Sequence, residues 1–129
     1  MSRQAIHTDQ APAALGPYSQ AVGHGNLVFL SGQVGLDPAT GKLVAGGVEE
    51  QARQVFRNLR AVCQAAGGDL DGIVKLTIYL VDLGNFALVN AVMAENFAAP
   101  YPARATIEIS ALPAGAEVEV EAVLGIGSP

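Results

Sequence analysis

The stretch "GIVKLTIYLVDLGNFALVNAVMAENFAAPYPARATIEIS" (residues 72–110) decides the architecture. Gly72–Asp82 is long and rich in β-branched residues, which suits a strand. Asn85 is placed to cap a helix to about Phe97, with Phe86, Val89, Met93 and Phe97 turned inward. Pro100 and Pro102 end that helix, and Ala103–Ser110 reads as strand again.

Upstream, Val48–Ala66 carries the strongest helical period. Val48, Ala52, Val55, Phe56, Leu59, Val62, Cys63 and Ala66 fall on one face, with Arg53, Arg57, Arg60, Gln54 and Asn58 on the other. Gly67 and Gly68 stop it. Before it, "YSQAVGHGNLVFLSG" (residues 18–32) predicts a hairpin turning at "GHGN", and "VGLDPATGKLV" (residues 34–44) a second turn. Residues 1–16 read as an extended lead-in, and the terminal "GIGSP" as a frayed end. Downstream, "ALPAG" (residues 111–115) joins Ala103–Ser110 to a last strand, "AEVEVEAVLGI".

The order is hairpin, helix, strand, helix, strand, strand. It predicts an α+β domain over residues 1–129, with a mixed sheet and two helices on one face. In the last two strands Ala105, Ile107, Ile109, Val118, Val120 and Ala122 are expected to face the helices. Arg104, Thr106, Glu108, Glu117, Glu119 and Glu121 would share the other face, which meets water or further copies of itself.

Half of the 129 residues are hydrophobic and only 15% are charged. That is lean for a soluble monomer, where about 25% is usual, and points to surface covered by another subunit. A net charge of −5 disfavours nucleic acid and anionic membranes as partners. Cys63 is the single cysteine, so no internal disulfide forms. With no apolar run of signal or spanning length, a reducing cytoplasm is the expected setting.

Four motifs carry little chemistry. "GLDPATGK" has five residues between Gly35 and Gly41 where a phosphate loop needs four. His7 and His24 lack ligand-spaced partners, so no metal is expected. Cys63 lies on an apolar stripe, and Ser19 and Ser31 have no triad in view. Arg104 stands apart. It is the only basic residue after Lys75, in a tail holding Asp82, Glu95, Glu108, Glu117, Glu119 and Glu121. Two readings stay open: an ion pair with a neighbouring strand glutamate, or a planar fork for a ligand carboxylate. In the second, Glu119 or Glu121 would activate water, against the plainer reading of a solvated strand face.

Taken together, "GPYSQAV", "LVFLSGQVGLDPATGKLV", "QVFRNLRAVCQAAGGDLDGIVKLTIYLVDL", "VNAV", "YPARATIEI" and "EVEVEAV" resemble the RidA (YjgF/YER057c/UK114) family from about Gly16 to Leu124. The resemblance implies a chorismate-mutase-like α+β fold in a homotrimer, with sites between subunits. It further implies cofactor-free hydrolysis of 2-iminobutanoate and 2-iminopropanoate to 2-oxo acids and ammonia. Residue by residue, it implies that Arg104 binds the substrate carboxylate and Glu119 orients water. Tyr18, Ser31, Gly32, Asn90 and Thr106 would lie around the ligand. Thr106 departs from the cysteine common at its position, which leaves the preferred substrate open. Family relatives also suggest a non-catalytic carboxylate-binding trimer, or a ribonuclease or translation inhibitor, as alternatives.

Overall fold

The computed structural model describes residues 3–127. The strands are β1 (Gln4–Ile6), β2 (Ala21–His24), β3 (Leu27–Val34), β4 (Ile73–Leu80), β5 (Ala103–Glu108) and β6 (Val118–Gly125); the helices are α1 (Gly47–Ala65) and α2 (Phe86–Asn96). One sheet holds all six strands in the order β1-β2-β3-β6-β4-β5. Only β4 and β5 run parallel, because α2 carries the chain back across the sheet between them.

Both helices cover one face, as the alternation along β6 predicts. Val118, Val120, Ala122 and Leu124 are buried there with Leu76, Ile78 and Leu80 of β4. Against them α1 presents Ala52, Val55, Phe56, Leu59, Val62 and Cys63, each 1% exposed or less. Burying one such aliphatic side chain contributes about 1.5–3 kcal/mol. Phe56 also meets Phe97 edge to face at 5.8 Å.

The polar face of α1 fastens the second helix. Arg53 bonds Glu49 (2.7 Å) and Glu50 (2.8 Å) on its own helix and Glu95 (3.1 Å) on α2. At the C-terminus, Gly67 has φ 93°, which a side chain would oppose. From there Gly67 N–H donates to Gln64 O (3.1 Å) and Gly68 N–H to Cys63 O (2.9 Å), satisfying orphan carbonyls.

Four local expectations differ from the structure. The lead-in contains a strand: β1 pairs with β2, although three residues give too short an alternation to read. Asn85 makes no side-chain cap; Asp82 Oδ1 accepts Gly84 N–H (2.8 Å) and turns the chain one step earlier. Gly125 lies in β6, and Ile126 N–H donates to Asn26 O (2.9 Å), so the tail is held at least that far. Ser128 and Pro129 of the expected frayed end fall outside the described residues.

The fourth difference matters most. β5 does not pair with β6, and its faces are reversed from the expectation. In register, Arg104 sits beside Leu76 and Thr106 beside Ile78, both helix-side residues of β4. Ala105 and Ile107 therefore join Thr77 and Tyr79 on the open face, where Ile107 is 45% exposed. Alternation fixes that a strand has two faces; the pairing partner fixes which is which. Among the described residues no helix is long and apolar enough to cross a membrane.

Cys63 is buried, and loss of solvation is the main cause that lifts its thiol to about 12. Native protein is expected to leave a thiol reagent such as DTNB unreacted at pH 8, with one thiol appearing on denaturation. Native reaction at the rate of a surface thiol would contradict this placement.

Candidate functional site

Arg104 opens the first cluster. Phe86, Asn90 and Met93 recur at i, i+4 and i+7 on α2, so one stripe of that helix meets β5. Arg104 Nη1 donates to Asn90 Oδ1 at 2.5 Å and lies 3.6 Å from Met93 Sδ. Its guanidinium carbon stands 5.2 Å from the centre of the Phe86 ring, a cation–π contact. Among the described residues Arg104 forms no ion pair, and Nε and Nη2 make no hydrogen bond. The strand ion pair considered from the sequence is therefore absent from the described residues. Reversal of β5 is the reason: Arg104 lies on the helix side, while Glu119 and Glu121 lie on the open side. Asn90, Met93, Ala94, Tyr101, Pro102 and Arg104 line a concavity of about 470 Å³.

Glu119 opens the second cluster. It is in register with Tyr79 and with Val34. Its carboxyl is half-buried, and that loss of solvation raises its pKa above the ordinary 4.5, with Glu121 adding repulsion. Glu121 in turn accepts from Tyr79 Oη at 2.8 Å. The Glu119 carboxyl packs directly against Gly32, where a Cβ would collide with it. Tyr18, Leu15 and Pro113 share this recess of about 160 Å³.

The remaining expected residues divide. Tyr18, Gly32 and Glu119 are brought together. Ser31 lies beside Tyr18, but its hydroxyl donates to Ser19 O at 2.6 Å and is engaged in holding the chain. Asn90 reaches Arg104. Thr106 Oγ1 is buried with no hydrogen-bond partner. Arg104 and Glu119 of one chain do not meet, since they leave opposite faces of the sheet. The sequence reading missed Phe86 as a support for Arg104, because an aromatic at a helix start reads as core. The four-residue spacing of Phe86 and Asn90, seen beside a lone arginine, was the available signal.

The family model described as Endoribonuclease L-PSP matches residues 8–125. Protein DfrA of Myxococcus xanthus is 54% identical over 125 residues, covering 95% of each chain. Mouse 2-iminobutanoate/2-iminopropanoate deaminase is 48% identical over 121 residues, covering 94% of this chain and 90% of that one. The crystal structure of RidA from the Antarctic bacterium Psychrobacter sp. PAMC 21119 superposes with a TM-score of 0.92 at 52% identity, over 95% of this chain and 99% of that one. The fold thus has the form of a RidA-type α+β protein. The chain belongs to the RidA/YjgF family.

Gly32→Ala checks the packing around Glu119. A carboxylate end can swing aside, so stability should fall by about 1 kcal/mol or less in thermal denaturation. The Glu119 carboxyl resonance should nevertheless move in NMR spectra. An unmoved resonance would refute the contact.

Proposed function

We propose that the chain forms a homotrimer in which the Arg104 cluster of one copy and the Glu119 recess of the next make one cleft. That cleft hydrolyses small 2-imino acids, 2-iminobutanoate and 2-iminopropanoate among them, to 2-oxo acids and ammonia. The observation that carries the reading is the state of Arg104. Asn90 and Phe86 hold its guanidinium, no acid among the described residues neutralises it, and among them Nε and Nη2 have no partner, which leaves them to grip a carboxylate. The deaminase name of the mouse relative supports the substrate class. Assembly is supported by the exposed apolar side chains on the open sheet face, Phe29 at 48% and Ile107 at 45%, and by the opposite placement of the two halves.

The chemistry follows from these groups. An iminium carbon beside a carboxylate is already electrophilic. With the carboxylate on Arg104, Glu119 takes a proton from a water held about 3 Å from that carbon. The hydroxide equivalent adds, that proton passes from Glu119 to nitrogen, and the C–N bond breaks as the hydroxyl proton passes by way of Glu119 to the departing ammonia, so that the 2-oxo acid and ammonium leave. A carboxyl whose pKa is raised by burial is a better base near neutrality than an ordinary one. Asn90 serves by positioning Arg104. Ser31 and Gly32 shape the wall, Tyr18 closes it, and Thr106 contributes its main chain, with no cofactor required. Although the family description names an endoribonuclease, a chain of net charge −5 offers few cations to a phosphate backbone, so imine hydrolysis stands first.

Arg104→Ala and Glu119→Gln should each lower hydrolysis of threonine dehydratase-generated imine by about 10²-fold or more. Refolded together, the two inactive variants should regain activity in mixed trimers, because some clefts receive both intact halves. A mixture as inactive as its components would refute a shared cleft.

The pH profile gives a second check. Hydrolysis should fail as acid protonates Glu119, at a pH above the ordinary carboxyl range. Glu121→Gln removes a neighbouring negative charge, so the Glu119 pKa should drop and the acid limb of kcat/KM should move to lower pH. A shift to higher pH would contradict the arrangement.

A further inference from the structure

Leu15 is 87% exposed, the most exposed large hydrophobic side chain described, yet the chain around it is held in place. On one side the amide of Gln20, itself 3% exposed, gathers the lead-in. Its Nε2 lies within bonding distance of the carbonyls of Thr8 (3.0 Å), Ala11 (3.4 Å) and Pro12 (2.8 Å), and its Oε1 accepts Thr8 N–H (2.8 Å). Ala11 is buried in the core at 3% exposure. On the other side Ser31 of β3 donates through Oγ–H to Ser19 O (2.6 Å) and through N–H to Gln20 O (3.0 Å), and Tyr18 N–H closes a local turn onto Gly16 O (2.9 Å). Residues 13–18 therefore form a short strap between two fixed points, with Leu15 on its exposed side.

That strap borders the Glu119 recess, where Pro12, Leu15 and Pro113 supply apolar wall within reach of the carboxyl. An exposed leucine gains nothing from the monomer core, and its apolar surface stands available to a group that enters the recess. At about 160 Å³ the recess exceeds what the single methyl of 2-iminopropanoate fills. An apolar cavity of roughly 150 Å³ accommodates a ring the size of benzene.

Resting on the deaminase reading above, we propose that Leu15 determines specificity. It forms the wall that receives the side chain of the 2-imino acid, and it favours branched or bulky apolar substrates, such as the leucine-derived imine, over the alanine-derived one. Gln20 is the positioning residue that holds the wall over Glu119.

The test compares wild type, Leu15→Ala, Gln20→Ala and Gln20→Glu with imines made by an amino-acid oxidase from leucine and from alanine. The wild-type kcat/KM ratio, leucine-derived over alanine-derived, should exceed one, and Leu15→Ala should lower it about tenfold, the scale of a few methylene contacts. Gln20→Ala should lower the same ratio, and Gln20→Glu, whose carboxylate would face the carbonyls of Thr8, Ala11 and Pro12 without a proton to donate, should not restore it. Calorimetry reads the wall without turnover: 4-methyl-2-oxopentanoate should bind wild type about tenfold tighter than pyruvate, and Leu15→Ala should erase that difference. If no imine is hydrolysed but this binding preference appears, the catalytic reading fails and the wall stands. An unchanged ratio and an unchanged binding preference in Leu15→Ala would overturn the wall. So would a change of assembly state on sizing, which would assign Leu15 to contact between copies.

Discussion

The parallel pairing of β5 with β4 governs the rest of the molecule. It places Arg104 beside Leu76 and so on the helix side, within reach of α2. An antiparallel return onto β6 would have set the arginine among the strand glutamates, where neutralisation is the natural outcome. Crossover through α2 avoids that. The same helix that connects the strands also supplies Phe86, Asn90 and Met93 to the guanidinium. Connection and cradle are one element, and Arg53 ties that element to α1 through Glu95.

The helix side packs into the core, while the open side keeps apolar residues in reach of solvent. Phe29, Val74 and Ile107 remain 45–51% exposed, an arrangement that a lone soluble domain seldom keeps. Glu119 belongs to this open side and draws its altered acidity from partial burial, first by its own strand surroundings and then by Glu121. Gly32 makes the packing possible by having no side chain to obstruct the carboxyl. One chain thus carries an arginine edge and a half-buried carboxyl recess that do not face each other.

Much of the fold was legible because burial imposes strict periods. The stripe from Val48 to Ala66 located α1 within a residue at each end, and the alternation of Val118, Val120 and Ala122 gave the correct face of β6. What could not be read depended on partners distant in sequence. The faces of β5 required knowing that its neighbour was β4. β1 is too short to show a period. Within the site, Arg104 stood out by charge contrast alone, whereas the part played by Phe86 depends on a ring lying beneath a guanidinium of the next element. The direct bond between Asn90 and Arg104 was likewise unforeseen, since it joins side chains on two different elements.

The grip on that guanidinium has an entropic consequence. A free arginine side chain carries about 2 kcal/mol of rotamer freedom, which a ligand must ordinarily remove on binding. Here Asn90, Met93 and Phe86 restrict Arg104 through contacts within the chain, so most of that loss is incurred when the chain folds. On the function proposed above, an anion reaching Nε and Nη2 would meet a fork already set in its plane, and even a ligand of a few heavy atoms would retain most of the binding energy it generates.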